Sequence, residues 1–327
     1  MKKIALKAIE YYLPESVLSN EELVADHPEW TAEKILSKTG IASRHIAAEN
    51  ETAGDLAEKA ALKLFESGAC KAEDVQFLLV CTESPDYILP CTATLLQDRL
   101  KIPKTAGALD FNLGCSGFVY GLSLAKGLIE TGQVDNVLLI TTDAYSKFIE
   151  PEDISVRAIF GDAAAATFLS TEESNDDYIG PFVFGSNGAG YDKIIVEAGG
   201  ARHPAEDDAF QRKLKMNGPE VFSFTLSTVP RVVKQLLSNA NLELHDVDKF
   251  IYHQANTYML EHLRKKSKID PERFCIDMED VGNTVSATIP IALKRAMDRN
   301  EICSGDRVML VGFGVGLSWA GALCVIA

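Results

Sequence analysis

The stretch Gly107–Thr131, which reads GALDFNLGCSGFVYGLSLAKGLIET, decides the fold. It begins as a short apolar strand, passes through a turn in which glycines flank Cys115 and Ser116, and continues from Phe118 with apolar residues at helical spacing. Cys115 is therefore predicted where a strand ends and a helix begins. Free backbone amides and the positive end of the helix dipole favour a thiolate there, so we expect a lowered thiol pKa and a nucleophile. This stretch alone also allows a small apolar cysteine buried in the turn.

The composition is that of a globular protein with an excess of acidic residues. With 327 residues, of which 46% are hydrophobic and 24% charged, the chain can form one large or two medium domains. The net charge of −15 argues against nucleic acid and an anionic membrane surface as partners. The first residues contain no apolar run long enough for a signal peptide or membrane span, so we expect a cytoplasmic protein. Seven cysteines without a CxxC pair argue against a disulfide framework or metal site, and no cofactor is expected.

An α/β pattern occurs twice along the chain. Each half has a helix, a strand, a short helix, a strand with a glycine turn and helix, and a further strand; the strand at Val75 recurs 172 residues later at Val247. This repetition predicts a duplicated α/β unit whose sheets are covered on both faces. We place the halves at residues 1–170 and 171–327. The polar, glycine-rich segment Thr171–Asn217 is interpreted as a linker and surface excursion.

The duplication predicts that three polar residues converge. The turn of Gly114 and Cys115 in the first half corresponds to Gly282 and Asn283 in the second. If the halves pack as pseudo-twofold mates, these two turns face each other. His253 directly follows a buried strand of the second half, and the ends of strands are where α/β folds place chemistry.

Each of these residues alone has a plainer interpretation. His253 suits a satisfied histidine at a sheet edge, and Asn283 suits a generic Gly-Asn turn. Together with a cysteine at a helix N-terminus, they favour thioester chemistry. The cysteine takes an acyl group, while the histidine and asparagine donate hydrogen bonds to a second carbonyl oxygen on which an enolate develops.

Several motifs resemble those of one known family. In chain order they are TGIASRHIA, LGCSGFVYGL, FGDAAAA, LKMNGPEVF, YHQAN, GNT and GFGVG. This set is similar to that of β-ketoacyl-acyl-carrier-protein synthase III, one of the thiolase-like condensing enzymes, and the resemblance runs along nearly the whole chain. It implies a thiolase-like α/β fold of two βαβαβαββ halves in a five-layer αβαβα arrangement, and a homodimer.

The resemblance also implies a reaction. Cys115 attacks an acyl thioester primer, delivered by acyl-CoA or an acyl-carrier protein, and holds the acyl group. Malonyl-acyl-carrier protein then enters, and His253 and Asn283 stabilise the enolate as CO₂ leaves. The carbanion attacks the acyl-cysteine and gives 3-oxoacyl-acyl-carrier protein, in fatty-acid or related acyl-chain biosynthesis.

Further site residues follow from the same resemblance. The backbone amides of Cys115 and Val315 form one oxyanion hole, and Phe313 and Gly314 support the site. Leu89 is the expected substrate gate. The GFGVG motif is not a dinucleotide fingerprint, because too few residues follow it for a helix and an acidic ribose ligand.

A basic cluster is the candidate docking site for the carrier protein. Arg264, Lys265 and Lys266 lie on the helix predicted after His253, in the densest basic segment of this acidic chain. A run of charges usually forms a solvated helix face, which is the plainer interpretation. Carrier proteins are acidic, so charge complementarity favours docking here.

The chain departs from the family pattern at three positions. Lys34 stands where the family has a tryptophan that clamps adenine, and Trp30 is nearby but out of register. Ile154 stands where the family has a phosphate-binding arginine, with Arg157 nearby. Tyr258 replaces an arginine that contributes to carrier docking. We therefore expect poor use of acyl-CoA and a preference for carrier-bound primers.

Two other functions remain open at this stage. One is an acyltransferase of the same fold that moves the acyl group from Cys115 to an alcohol or amine without decarboxylation. Asn283 argues against it, because a carboxylate would better deprotonate the acceptor. The other is a non-catalytic partner subunit that binds a carrier protein, against which the intact set of cysteine, histidine and asparagine speaks.

Overall fold

Two five-stranded sheets form the centre of the protein. The computed structural model describes residues 2–25, 27–205 and 211–327. Along the chain, the strands are β1 (Lys2–Tyr12), β2 (Ser16–Ser19), β3 (Ser43–Ile46), β4 (Phe77–Cys81), β5 (Gly107–Phe111), β6 (Asn136–Asp143), β7 (Ala163–Glu173), β8 (Ile179–Ser186), β9 (Ile194–Val196), β10 (Leu214–Met216), β11 (Lys249–Tyr252), β12 (Phe274–Cys275), β13 (Arg307–Gly314) and β14 (Ser318–Val325). The helices are α1 (Asn20–Val24), α2 (Ala32–Thr39), α3 (Ala53–Glu66), α4 (Thr92–Arg99), α5 (Gly117–Glu130), α6 (Ile154–Arg157), α7 (Gly218–Ala240), α8 (Thr257–Ser267) and α9 (Thr288–Asp298).

The two sheets have the same strand order. The first runs β1-β7-β6-β4-β5, and the second, read from β8, runs β8-β14-β13-β11-β12. In the first sheet β6, β4 and β5 run parallel to one another, and β7 is antiparallel to β6. In the second sheet β13, β11 and β12 run parallel to one another, and β14 is antiparallel to β13. The predicted duplication of an α/β unit is confirmed. The predicted boundary after residue 170 falls within β7, which continues to Glu173.

Helices separate and cover the sheets in five layers. Helices α3 and α4 pack on the outer face of the first sheet, where Leu78 and Val80 of β4 point. Helices α5 and α9 lie between the sheets, against Leu79 of β4 and Leu310 of β13. Helices α7 and α8 cover the second sheet on its outer face. This αβαβα arrangement confirms the predicted fold class.

The local sequence explains where the main helices form. Thr52 caps α3 in a capping box with Asp55. The apolar positions of α5 that recur from Phe118, among them Leu122 and Ile129, are buried, because this helix is sandwiched between two sheets. Helix α7 continues through Pro230, although proline cannot donate the usual helical hydrogen bond. Within the three described ranges, no helix has both the length and the apolar character needed to cross a bilayer.

The interpretation of residues 171–217 as a linker and surface excursion is wrong in part. Strand β8 is an edge strand of the second sheet and pairs with β14 along its length. Its Gly185 lies directly against the ring of Trp319, so a side chain there would clash. Strands β9 and β10 form a small sheet that buries Ile194 and Leu214 beside Cys115. Glycine and polar residues around these short strands obscure the apolar pattern by which a strand is predicted. Residues 206–210 of the segment lie outside the described ranges.

Candidate active site

Cys115 occupies the turn between β5 and α5, as predicted. Strand β5 ends four residues before it and α5 begins two residues after it. The Gly117 amide donates to the Gly114 carbonyl at 2.8 Å, which closes the turn. A Cβ on Gly117 would overlap the sulfur of Cys81, so only glycine fits there. The thiol of Cys115 is buried at the floor of a cavity.

The backbone amides of Cys115 and Val315 lie within hydrogen-bonding reach of the Cys115 sulfur. They are the two groups that the sequence predicts for an oxyanion hole. Ser318 donates to the Val315 carbonyl at 2.7 Å, and its hydroxyl lies 2.8 Å from that of Ser116. These bonds tie the loop after β13 to the turn that carries the cysteine, so the two amides keep a fixed separation.

The prediction of a lowered thiol pKa is wrong for the resting protein. Burial raises the pKa of the Cys115 thiol, and the nearby carboxyl groups of Glu83 and Asp143 raise it further. The amides of Val315 and Cys115 act in the opposite direction but do not prevail. Cys115 does lie at a helix N-terminus, but the free-energy cost of removing its thiolate from water exceeds the stabilisation that the helix dipole provides. The Cys115 side chain is therefore a thiol in the resting protein.

His253 lies at the carboxyl end of β11, at the floor of the same cavity. Its amide donates to the Val311 carbonyl at 2.8 Å, which fixes the backbone against β13. Its Nδ1 lies 2.8 Å from the hydroxyl of Thr288, and its ring packs edge-on against Phe313 with 5.5 Å between centroids. Burial lowers the pKa of His253 to about 3, so the imidazole is neutral at neutral pH.

Asn283 is positioned by the first half of the chain. Its amide donates to the Ile159 carbonyl at 2.8 Å, and its carbonyl accepts from the Gly161 amide at 3.0 Å. Gly282 beside it has a φ of 70°, and a Cβ there would lie 2.8 Å from the Ile159 oxygen. The glycine is thus required by both conformation and space. Asn283, which belongs to the second half of the chain, is therefore held by backbone hydrogen bonds to the first half.

A chain of hydrogen bonds orients the two polar side chains. The Val285 amide donates to Oδ1 of Asn283 at 2.9 Å, which directs Nδ2 towards Nε2 of His253, 3.4 Å away. The hydroxyl of Thr288 donates to the Val285 carbonyl at 3.1 Å and faces Nδ1 of His253. This hydroxyl can accept from Nδ1 or, after rotation, donate to it, so it can hold either imidazole tautomer.

Cys115, His253 and Asn283 line one cavity of about 170 Å³, which we call the Cys115 cavity. The predicted convergence of the three residues is therefore observed. The walls are mainly apolar, and Phe222 of α7 and Tyr258 of α8 line the outer part. Their rings stack with 5.7 Å between centroids, and Tyr258 is exposed, which places the mouth between these two helices.

Sequence reasoning missed an acidic residue beside the cysteine. Glu83 follows β4 and lines a second cavity of about 300 Å³, the Glu83 cavity, together with Tyr145 and Val315. Burial raises the pKa of Glu83 to about 7, although a hydrogen bond from the Tyr145 hydroxyl acts against this. Its amide donates to Asp143 at 2.8 Å. The signal was available, because Glu83 lies two residues after the end of a buried strand, close to where His253 lies after β11.

The predicted docking residues differ in their surroundings. Arg264 pairs with Glu261 at 2.8 Å and donates to the Ile269 carbonyl, so its guanidinium is occupied within α8. Lys265 and Lys266 are exposed. Lys265 lies seven residues after Tyr258, on the same face of α8 and about 10 Å further along its axis.

Leu89 does not line either cavity of its own chain. Its side chain is 80% exposed, and the preceding Tyr87 and Ile88 are 60% and 87% exposed. Three consecutive large apolar side chains at the surface are unusual for a monomer. The gate function of Leu89 stays a prediction, and within its own chain the residue lies away from both cavities.

Trp30 and Arg157, which lie near the departures from the family pattern, contact other parts of the chain. The ammonium group of Lys34 lies 4.5 Å from the ring centroid of Trp30, and that of Lys38 lies 5.0 Å from it. Arg157 donates to the Pro151 carbonyl and lines a separate small cavity. Ile154 is buried in an apolar cluster. Neither Trp30 nor Arg157 lines the Cys115 cavity.

Comparisons with known proteins agree with this geometry. Residues 109–188 match the 3-oxoacyl-[acyl-carrier-protein] synthase III family, and residues 237–326 match the C-terminal region of the same family. β-Ketoacyl-[acyl-carrier-protein] synthase III of Caldanaerobacter subterraneus is 36% identical and aligns over 95% of this chain and 94% of its own. That of Clostridioides difficile is 36% identical, over 98% of both chains. A crystal structure of a 3-oxoacyl-(acyl-carrier-protein) synthase III superposes with a TM-score of 0.96 at 50% identity, covering 99% of this chain and 100% of the other.

Proposed function

Because the chain belongs to the 3-oxoacyl-[acyl-carrier-protein] synthase III family, we propose that it is a condensing enzyme of fatty-acid or related acyl-chain biosynthesis. It joins an acyl thioester primer to malonyl-acyl-carrier protein and releases CO₂ and 3-oxoacyl-acyl-carrier protein. One observation carries this proposal: a buried thiol, a neutral imidazole and a side-chain amide line a single cavity.

In the first half-reaction, the sulfur of Cys115 attacks the carbonyl carbon of the primer thioester. The amides of Cys115 and Val315 stabilise the oxyanion that develops. The bond between that carbon and the donor's sulfur breaks, and the donor thiol leaves with the proton from Cys115. His253 lies in the same cavity with a neutral ring, so it can carry this proton between the two sulfurs.

In the second half-reaction, malonyl-carrier protein occupies the cavity. The bond between the malonyl carboxylate and the methylene carbon breaks, and its electron pair forms an enolate. Nδ2 of Asn283 and Nε2–H of His253 donate to the enolate oxygen, and Thr288 holds the required tautomer by donating to Nδ1. The enolate carbon attacks the acyl-cysteine, the acyl–sulfur bond breaks, and Cys115 takes up a proton from solvent.

The carrier protein is the proposed donor of both substrates. The exposed Lys265 and Lys266 lie on the helix whose first turn forms the mouth of the Cys115 cavity, and a carrier protein brings the complementary negative charge. Lys34 and Ile154 supply neither an aromatic face for adenine nor a phosphate donor. We therefore propose that acyl-CoA is the poorer primer and that carrier thioesters are preferred.

We also propose a homodimer of two-half protomers in the cytoplasm. Strand β5 is an edge strand with the exposed apolar Leu109, and the adjacent Tyr87–Leu89 segment is exposed. A second copy would cover both, and Leu89 would then gate the acyl site of its partner. Within each protomer, residues 1–170 supply the nucleophile and residues 171–327 supply the imidazole and amide. The free cysteines suit a reducing compartment.

The test separates acylation from decarboxylation. Cys115→Ala is expected to abolish acyl-enzyme formation, measured by intact-protein mass spectrometry after incubation with a primer thioester. Cys303→Ala, which changes an exposed cysteine, is the matched control and should acylate normally. Release of CO₂ from malonyl-carrier protein is measured alongside.

Three results would contradict the proposal. An acyl adduct that persists in Cys115→Ala would make the cysteine structural. Acylation without CO₂ release, but with transfer to an alcohol or amine, would support an acyltransferase. Binding of carrier protein with neither reaction would support a non-catalytic subunit.

A further inference from the structure

We propose that Glu83 makes this enzyme selective for primers whose acyl group carries a hydrogen-bond donor, a hydroxyl or amino group, within two or three carbons of the thioester. The inference rests on the proposed function and names the substrate class of the same site. It goes beyond a plain alkyl primer, which would need no polar group in the acyl cavity.

The first support is the position of the carboxyl group. A Cβ added to Gly114 would overlap Oε2 of Glu83, so the carboxyl group lies directly against the turn that carries Cys115. The Glu83 cavity is also lined by Val315, whose amide reaches the cysteine sulfur, and it shares Ile194 with the Cys115 cavity. The two cavities therefore adjoin at Ile194, which packs in the same apolar cluster as Cys115, Tyr145 and Val315.

This arrangement divides the substrate between two cavities. The Cys115 cavity opens between α7 and α8, where a carrier arm enters, and its walls are apolar. The acyl group on the other side of the thioester then extends into the Glu83 cavity. A volume of about 300 Å³ is at the small end for ligand sites, which suits a short acyl group.

The second support is the incomplete pairing of Glu83. The Tyr145 hydroxyl donates to Oε2, but no residue in the described ranges donates to Oε1. No lysine or arginine is among the described residues that line this cavity. Glu83 is partly exposed, and it lines this cavity. A partly buried acidic group without a cation or a full set of donors gains free energy from a ligand that completes its hydrogen bonds.

The neighbouring Asp143 shows what a purely structural acid looks like in this protein. It is fully buried, and its two oxygens accept from the Glu83 amide and from the amide and hydroxyl of Ser286. Its hydrogen bonds are thus satisfied by the chain itself. Glu83, by contrast, presents an unpaired oxygen to the space beside the nucleophile.

The selectivity follows from desolvation. An alkyl acyl group displaces water from the Glu83 carboxyl group and returns no hydrogen bond, whereas a hydroxyl or amino group does return one. A site built to bond a polar group rejects the analogue that lacks it, because its own polar group is left unpaired. A hydrogen bond to a charged group corresponds to a preference on the order of 10- to 100-fold.

The experiment compares rates of Cys115 acylation by pantetheine thioesters, which remove differences between CoA and carrier protein. Butyryl, 3-hydroxybutyryl and 3-aminobutyryl groups are tested, and the adduct is followed by intact-protein mass spectrometry. The wild-type protein should prefer at least one donor-bearing primer over butyryl by about 10- to 100-fold. A larger preference for the amino primer would indicate an ionic contact, and a larger one for the hydroxyl primer a neutral contact.

Substitutions at Glu83 test the cause. Glu83→Met, which replaces the carboxyl group with an apolar side chain of similar length, should bring the donor-to-butyryl ratio to one or below. Glu83→Gln keeps a hydrogen-bond acceptor but removes the charge, so it should lower the amino ratio more than the hydroxyl ratio. Glu173→Gln, at the far end of β7, is the control and should leave both ratios and the rates unchanged.

The ratio is insensitive to general damage, because a merely structural Glu83 would slow all three primers equally. Equal or better use of butyryl by the wild-type protein overturns the selectivity while leaving the proposed function intact. A ratio unchanged in both Glu83 variants overturns the role of Glu83. Failure of every primer to acylate Cys115 overturns the proposed function as well.

Discussion

Replacement of Gly314 by alanine directly tests the proposed oxyanion hole. A Cβ at Gly314 would lie 2.6 Å from the sulfur of Cys115 and 2.8 Å from its Cβ. The new methyl group therefore acts through its volume, and either the cysteine side chain or the loop that carries Val315 must move.

The size of the effect follows from what moves. Overpacking of a filled core costs about 1–3 kcal/mol of stability, so most of the protein stays folded. Val315 follows Gly314 directly, and its amide is one of the two donors at the sulfur. Loss of one oxyanion donor lowers rates by about 10²- to 10³-fold. We expect acylation of Cys115 in Gly314→Ala to fall by this factor, far more than stability would explain.

The assay is the time course of the acyl adduct under single-turnover conditions, with thermal unfolding measured on the same sample. Gly127→Ala is the matched control, because Gly127 lies within α5 and a Cβ there meets no atom within 4 Å. It should keep the wild-type rate and gain up to about 1 kcal/mol of helix stability. An acylation rate in Gly314→Ala equal to that of Gly127→Ala would refute the reasoning.

The remaining predictions concern the other parts of the site. Asn283→Ala should acylate normally but lose decarboxylation of malonyl-carrier protein by about 10²- to 10³-fold, and a parent rate of CO₂ release would exclude its role in the enolate step. Charge reversal at Lys265 and Lys266 should raise the KM for malonyl-carrier protein and reduce its salt dependence, whereas an unchanged KM would make them a solvated face. For one acyl group, kcat/KM should be higher on carrier protein than on CoA, and equal values would contradict the missing clamp. Glu83 is protonated in the fold but ionised in the unfolded chain between pH 4.5 and about 7, so ionisation destabilises the fold as pH rises. Glu83→Gln should therefore gain up to about 3 kcal/mol over the wild-type protein between pH 5 and pH 8 in urea unfolding, and a constant difference would contradict this.

The fold could be predicted because its signals are local and repeated. The helical spacing after Phe118 and the capping box at Thr52 are short-range patterns, and the structure realises both. The recurrence of the Val75 strand at Val247 predicted that the turns of Cys115 and Asn283 face each other. Strand β8 escaped prediction because only Ile179 and Val183 are buried in it, and two glycines and a proline interrupt its apolar pattern. Its place beside β14 depends on pairing with residues far along the chain.

The chemistry was less predictable than the positions. The convergence of Cys115, His253 and Asn283 followed from symmetry between the halves, but the thiol pKa did not follow from the helix dipole. Burial depends on the whole fold, and the acidic groups of Glu83 and Asp143 reach the cysteine from strands that are distant in sequence. A sequence motif gives the residue types at a site, whereas the desolvation of a thiol depends on all the residues packed around it.

The backbone bridge at Asn283 limits how related enzymes can be recombined. The amide side chain that faces His253 is set by carbonyl and amide groups of Ile159 and Gly161, which lie in the other half of the gene. A chimera that takes its first half from one parent and its second from another must therefore reproduce this seam to within the tolerance of a hydrogen bond. Segments 159–161 and 282–283 should therefore come from the same parent, because a crossover between them can change the position of the Asn283 side chain as well as the sequence.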